Sequence, residues 1–287
     1  MNLSNISGKE VTQLFSRGFF WILVLVIAFY TMAPFAYAIS ISFRTNQQVL
    51  LNGARYLPED PNLENFQNLL SDSDFMRTML NSAIVSSVTV VLSLVVGAFA
   101  AYALGRVRFR GRIIILYLVL AMTMFPQISI LSGLNRTVKD LGINGSLLSL
   151  MFTYPIFTLP FTVWVLTSFF RGLPDEIEQA ALVDGATAFQ TFWRILIPLT
   201  APALVTTGLL AFISAWNEYL FALTFNLVNK DAHTVPVAIG QFAGYSYEIP
   251  IADKIAGAVV VTVPLLILVL VFQRRIIEGL TAGAVKG

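Results

Sequence analysis

A chain of 287 residues that is 56% hydrophobic and 12% charged is too apolar for a water-soluble domain, where about a quarter of residues are charged. It has no cysteine, which excludes a disulfide framework and a thiolate metal site. The net charge of +2 decides little; where the charges fall decides more.

Residues 1–18 are polar and carry Lys9 and Arg17. The first apolar run, 19–41, is too long for the core of a cleavable signal, and 37–40 is a weak cleavage site, so a retained first span is expected. The stretch 44–78 holds Arg55, Glu59, Asp60, Glu64, Asp72, Asp74 and Arg77. Pro58 and Pro61 mark it as an irregular loop, with a short surface helix over 63–70. Span 2 is read at 83–104, followed by GRVRFRGR, four arginines without an acid. Span 3 covers 113–134, with Pro126 as a kink. A short turn over 135–146 follows, in which Asn135 and Arg136 read as ordinary loop residues. Span 4 covers 147–170 and contains Pro155 and Pro160; a long patterned loop occupies 171–202. Span 5 covers 203–225, a second exposed stretch 226–254, span 6 255–272 and a tail 273–287. The expected fold is all-α: a polytopic membrane protein with six transmembrane helices, each near the roughly 20 residues a bilayer requires. One transmembrane domain, 19–287, follows the short N-terminus.

Six spans put both ends on one side. That side, with the 2–3 and 4–5 loops, holds Lys9, Arg17, Arg106, Arg108, Arg110, Arg112, Arg171, Arg194, Arg274, Arg275 and Lys286, most of the 18 basic residues. The positive-inside rule makes it cytoplasmic, so both termini and the patterned loop face the cell interior. Anchoring of the four arginines to headgroups leaves that orientation unchanged. Small residues within the spans (Gly97, Ala98, Ala100, Ala101, Gly208) let helices approach closely.

The loop is built as an elbow. Pro174, Asp175 and Glu176 read as a helix start, with acids opposing the positive end of the dipole and Asp175–Glu178 able to pair as a capping box. The helix runs to Val183 and Gly185 ends it. Thr187 with Gln190 signals a second start. Phe189, Phe192, Trp193, Leu196 and Ile197 then recur at helical spacing until Pro198. Ala180, Ala181 and Ala186 leave room at the bend for another surface. Spacing alone equally allows an interfacial helix lying on lipid headgroups.

The stretch QAALVDGATAFQTFWRILIPLTAP resembles the EAA motif of binding-protein-dependent ABC importer permeases, with Ala180, Ala181, Asp184, Gly185, Ala186, Phe192, Pro198, Leu199 and Pro202 in register. Gln179 stands where that motif has glutamate; Glu178 matches an acid common one position earlier, about 100° around the helix. AYALGRVRFRGR and SAWNEYLFALTF resemble the carbohydrate branch, and the ending GLTAGAVKG is similar to that of the smaller permease subunits of maltose-type importers. The resemblance implies a half-permease in a bacterial or archaeal cytoplasmic membrane. Its implied partners are a second, related permease, an ATP-hydrolysing dimer, an extracytoplasmic sugar-binding protein and the lipid bilayer, with no nucleic acid. ATP and Mg would be used by the partner ATPase, leaving this chain without a cofactor of its own. The loop would dock on the ATPase as a coupling helix through Glu178, Gln179, Ala180, Ala181, Asp184, Gly185, Ala186, Phe189 and Phe192, and Lys286 and Gly287 would reach the same partner. Gln179 keeps hydrogen-bonding capacity but loses a charge assistance that makes such bonds about twice as strong. The apolar and small residues of the elbow are therefore expected to supply most of the docking energy.

Glu218, beside Asn217 and Trp216 in an apolar run, is an ionisable group at membrane level and a candidate for the substrate path. The other reading puts it near the outer boundary, bonded to a neighbouring helix. His233, the single histidine, cannot make a metal site and reads as a surface residue. By the resemblance, Phe242, Tyr245 and Tyr247 would meet the external binding protein. No phosphate-binding G-x-x-x-x-G-K-[ST] occurs, so ATP chemistry must come from another chain. No H-E-x-x-H or G-x-S-x-G offers an enzyme centre. The alternative is a stand-alone secondary carrier or channel for a polar solute, which would need no docking loop and usually shows repeats or several intramembrane charges. The sugar is not named by the residues; the tail resemblance implies an α-linked di- or oligosaccharide such as maltose or trehalose.

Overall fold

The computed structural model describes residues 8–53, 55–241 and 251–281; these form helices and turns, with no strand among them. The chain makes two compact units, one of residues 1–69 and 246–260, the other of 70–245 and 261–287.

In the first unit, α1 (Gly8–Ser42) starts well before the expected 19. The most apolar 18 residues within Ser16–Ser42 include no buried residue, and only the end of that stretch, from Ser40 to Ser42, is buried. The loop after it is ordered by a buried cation. The Arg44 guanidinium donates to Ser40 Oγ (3.1 Å) and to the carbonyls of Asn52 (3.4 Å) and Arg55 through its two terminal nitrogens, which offsets in part a charge that burial alone would penalise, while Nε has no partner among the described residues. A Thr45–Gln48 capping box opens α2 (Asn46–Asn52). From α3 (Glu64–Ser71), the expected surface helix, the Asn65 amide donates to the carbonyls of Ser42 (3.0 Å) and Arg44 (2.8 Å).

The second unit is built around α4 (Ser73–Gly105), which Asp72 caps by accepting from the Asp74 N–H at 2.8 Å. After α4 come α5 (Arg112–Ala121), α6 (Gln127–Asp140), α7 (Leu147–Thr153) and α8 (Pro155–Gly172). The elbow follows as α9 (Asp175–Val183), α10 (Ala188–Thr191) and α11 (Ile197–Leu199). Then come α12 (Ala201–Trp216), α13 (Leu220–Asn226), α14 (Val235–Gln241) and, from residue 261 on, α15 (Ile251–Thr281), whose first residues belong to the first unit and which outruns the expected 255–272 at both ends. Helices α4, α8 and α12 pack together as the core of the unit. The α4 face toward α8 is small and polar, with Ser93 Oγ 2.6 Å from Thr158 Oγ1, as suits helices whose apolar sides face lipid.

Among the described residues four helical stretches are long and apolar enough to cross a bilayer, and the number becomes six if each of two bent pairs is one span. The bends exceed what the sequence predicts. Span 3 is not a kinked helix but two helices at 95°, joined by a tight turn over Met122–Met124. Pro126 has no N–H to donate and holds Phe125 extended, so the helix must restart. The restarted α6 reaches Asp140 and carries Asn135 and Arg136, which are helical rather than loop residues. Span 5 is interrupted at 217–219, between α12 and α13. At about 24 Å, α12 alone falls short of a 30 Å hydrocarbon core. His233 is not on the surface: it is buried, its Nε2 3.4 Å from the Leu227 carbonyl. The amides of Asn81 and Asn226 fold its turn inward by donating to the carbonyls of His233 (2.9 Å) and Ala232 (3.0 Å).

Candidate functional site

The patterned loop forms the two-armed elbow that its residues predict. The α9 arm ends in a 6→1 closure, Ala186 N–H to the Ala181 carbonyl at 2.9 Å, which places Gly185 at φ +82°. No atom lies within 4 Å of where a Gly185 Cβ would stand, so the outer side of the bend is open. Thr187 and Gln190 form the expected reciprocal cap on α10 (3.2 and 2.8 Å). The second arm departs from a plain α-helix. Phe192–Leu196 is a π turn, in which the Ile197 N–H reaches back to the Phe192 carbonyl. The widening sits just before Pro198, whose ring would clash with the Arg194 carbonyl in an α-helix. The arm then meets α12 at 74°.

The elbow has an inner and an outer face. On the inner face Phe192, 2% exposed, lies in an aromatic seat made by Phe99 (4.9 Å between centroids), Tyr102 (5.1 Å) and Phe170 (6.2 Å), and Ala181 is also buried. On the outer face Leu182, Val183, Phe189 and Trp193 are exposed, Val183 to 87%. Gln179, Ala180, Asp184 and Gly185 are exposed beside them, and Ala186 is half-buried. The nine residues expected at the partner contact thus divide: Ala181 and Phe192 face the chain's own core, while most of the others face outward.

Glu178 is held from within. The expected Asp175–Glu178 capping box does not form; both acids turn to Arg106, which follows α4. Arg106 Nε lies 2.5 Å from Glu178 Oε1, and Nη1 lies 3.0 Å from Asp175 Oδ1 and 2.8 Å from the Leu173 carbonyl. The Arg106 side chain is only 6% exposed. In return Arg171, at the end of α8, donates to the Leu104 carbonyl of α4 at 3.1 Å. Each helix C-terminus is thereby closed by an arginine carried on the other, where a cation also suits the dipole. Sequence reasoning used Arg106 only for orientation. The available signal was three acids, Asp175, Glu176 and Glu178, packed into four positions.

A second site lies at the break in span 5. Glu218 Oε1 accepts from the Phe221 N–H (2.8 Å) and Oε2 from the Ala222 N–H (3.1 Å), so the carboxylate caps α13. It lines a cavity of about 310 Å³ with Gln127, Tyr154, Phe157, Asn217 and Tyr219. Trp216 does not line it; it is buried and stacks on Phe212 at 5.6 Å. Amides, phenols, a carboxylate and aromatic faces are the groups that bind sugar hydroxyls and stack on sugar rings. Gln127 and Tyr154 were not legible as partners, because they reach the site from α6 and the α7–α8 junction. Phe242, Tyr245, Tyr247, Lys286 and Gly287 lie outside the described residues. Among the described residues no three His, Cys, Asp or Glu side chains gather to hold a metal.

Comparison with known proteins places this architecture. The profile of the family described as binding-protein-dependent transport system inner membrane component matches residues 93–280. The trehalose/maltose transport system permease protein MalG of Thermococcus litoralis is 40% identical over 265 residues, covering 92% of this chain and 94% of that protein. The trehalose transport system permease protein SugB of Mycobacterium tuberculosis is 37% identical over 273 residues, covering 94% and 98%. Among solved structures, a chain of a bacterial ABC transporter that imports the acidic polysaccharide alginate shares the fold, with a TM-score of 0.77 and 23% identity over 94% of this chain and 98% of that one. Profile, relatives and fold agree, and the chain belongs to the family of inner membrane components of binding-protein-dependent transport systems.

Proposed function

We infer that this chain is one permease subunit of an ATP-driven sugar importer. It would form half of a translocation path and couple closure of a partner ATPase to alternating access. The observation that carries this reading is the elbow: an exposed apolar tip on a frame anchored to α4 and α8. An interfacial helix has no need of such a frame. Family membership sets aside a stand-alone carrier or channel. The partners are a second, related permease, an ATPase dimer that binds ATP and Mg, and an extracytoplasmic sugar-binding protein; this chain performs no catalysis. The four-arginine loop supports cytoplasmic termini.

The docking surface is the outer face, with Gln179, Ala180, Asp184, Gly185 and Phe189 joined by Leu182 and Val183. Ala181 and Phe192 transmit the movement inward, and Ala186 sits between the two roles. The tail residues Lys286 and Gly287 touch the same partner, and Phe242, Tyr245 and Tyr247 meet the binding protein. Asn217 and Glu218, with Gln127 and Tyr154, line the sugar path, with Trp216 behind them. The names of the relatives support a trehalose- or maltose-type disaccharide as the cargo. The test is co-purification with the ATPase subunit and uptake of radiolabelled trehalose and maltose. Both are expected for the parent and lost in Gly185→Trp, which fills the open side of the bend. Uptake by the chain without an ATPase would overturn the reading.

A further inference from the structure

We propose that Arg106 is a positioning residue for energy coupling: it pins the elbow to the ends of α4 and α8, so that force on the outer face moves those helices instead of bending the loop. This rests on the importer reading above. Two kinds of contact tie the elbow to the rest of its unit, apolar packing and ion pairing. One is the aromatic seat of Phe192, which is non-directional and allows rotation. The other is Arg106, which fixes direction, because a planar guanidinium bonds several acceptors in one geometry. It holds Glu178 at 2.5 Å, Asp175 at 3.0 Å and the Leu173 carbonyl at 2.8 Å, so one side chain ties the end of α4 to the α8–α9 junction and to the first turn of α9. Burial on both sides shields the Glu178 bond from solvent screening, whereas the Asp175 side chain is 62% exposed and its bond is the more screened. The neighbouring Arg108 reaches only Asp175, at 3.6 Å, and is 87% exposed, so it cannot substitute. Glu178 is then committed within the chain, and the outer face docks without it.

The experiment uses the reconstituted importer with its ATPase and binding protein, carrying Arg106→Ala, Arg106→Lys, Glu178→Gln or the double Arg106→Ala/Glu178→Gln. Sugar uptake and ATP hydrolysis are read together, with trehalose and maltose as the probes. Arg106→Ala should keep its ATPase bound yet transport at least tenfold less sugar per ATP, and Arg106→Lys should recover part of the ratio. Glu178→Gln should shift the ratio the same way by a smaller factor, and the double variant should be no worse than Arg106→Ala alone. A merely structural role would lower hydrolysis and uptake in parallel and leave their ratio unchanged. Because the chain has no cysteine, spin labels at Val96→Cys on α4 and Val183→Cys at the tip give a second readout that needs no sugar. Their distance distribution should broaden in Arg106→Ala and Glu178→Gln and narrow again in Arg106→Lys. Should Arg106→Ala fail to fold, Glu178→Gln carries both measurements. An unchanged ratio and an unchanged distribution overturn the proposal while leaving the importer reading intact. A parent chain that binds no ATPase overturns both.

Discussion

A Cβ built on Gly97 of α4 would stand 2.7 Å from Cγ2 of Thr162 on α8. Eight residues on, a Cβ on Gly105 would stand 3.2 Å from Cβ of Phe170 and 3.3 Å from the Thr167 carbonyl. Two turns of backbone thus approach backbone along the seam that ends at Arg106. The close approach lets Arg106 and Arg171 each reach the carbonyls of the opposite helix.

Gly97→Leu should force that seam apart at a cost of about 1–3 kcal/mol, the usual range for overpacking. Gly208→Ala is the control, since its Cβ would meet only side-chain methyl groups, Leu94 Cδ1 at 3.1 Å and Val90 Cγ1 at 3.4 Å. Thermal unfolding of the detergent-solubilised chain measures both. Equal losses would show that the α4–α8 approach is no tighter than the α4–α12 one.

The elbow's shape depends on two local features that can be removed separately. Gly185→Ala puts a Cβ on a residue at φ +82°, which costs about 1–2 kcal/mol without touching any neighbour. Thr187→Ala removes the reciprocal cap and costs about 0.5–2 kcal/mol. Hydrogen exchange over 184–191 should quicken in both variants and stay unchanged in α8. Unchanged exchange in the elbow would mean that the aromatic seat alone holds its shape.

Glu218 separates capping from cargo. Glu218→Ala strips the acceptors from the Phe221 and Ala222 N–H groups, and leaving such donors unpaired costs about 1–3 kcal/mol in stability. Glu218→Gln keeps one acceptor and should lose less. Asn217→Ala leaves the cap intact, so it should raise the half-saturating sugar concentration with little change in melting temperature. A melting loss in Asn217→Ala equal to that of Glu218→Ala would remove Asn217 from the sugar path.

The elbow was legible because its signals are local. Gly185 supplies a positive φ, Thr187 and Gln190 lie three residues apart, and Pro174 and Pro198 mark the ends. What stayed hidden was long-range. Arg106 meets Glu178 across 72 positions, and one side of that pair read only as an orientation signal. The π turn was unreadable because the same apolar spacing suits α and π geometry until Pro198 forces the choice. Pro126 announced a bend but not its size, since a proline permits anything from a kink to the 95° break that packing selects. His233 was misplaced for a related reason. A lone polar residue in a polar stretch reads as exposed, and only the Asn81 and Asn226 amides on its turn draw it inside.

Gln179→Glu restores the acid usual for the motif, and its small expected effect tests which part of the elbow docks. Gln179 is exposed on α9, so a carboxylate there would meet a partner cation near water. Exposed ion pairs contribute about 0.2–1 kcal/mol, or less than about fivefold in any coupled equilibrium. Val183 and Phe189 present large apolar area on the same face, and truncating such anchors in an interface commonly costs more than about 1 kcal/mol. Sugar transported per ATP should therefore shift less than fivefold in Gln179→Glu and fall further in Val183→Ala/Phe189→Ala. The apolar double variant should also release ATPase during purification, which Gln179→Glu should not. A tenfold change from Gln179→Glu alone, in either direction, would make charge and not apolar area the main determinant of docking.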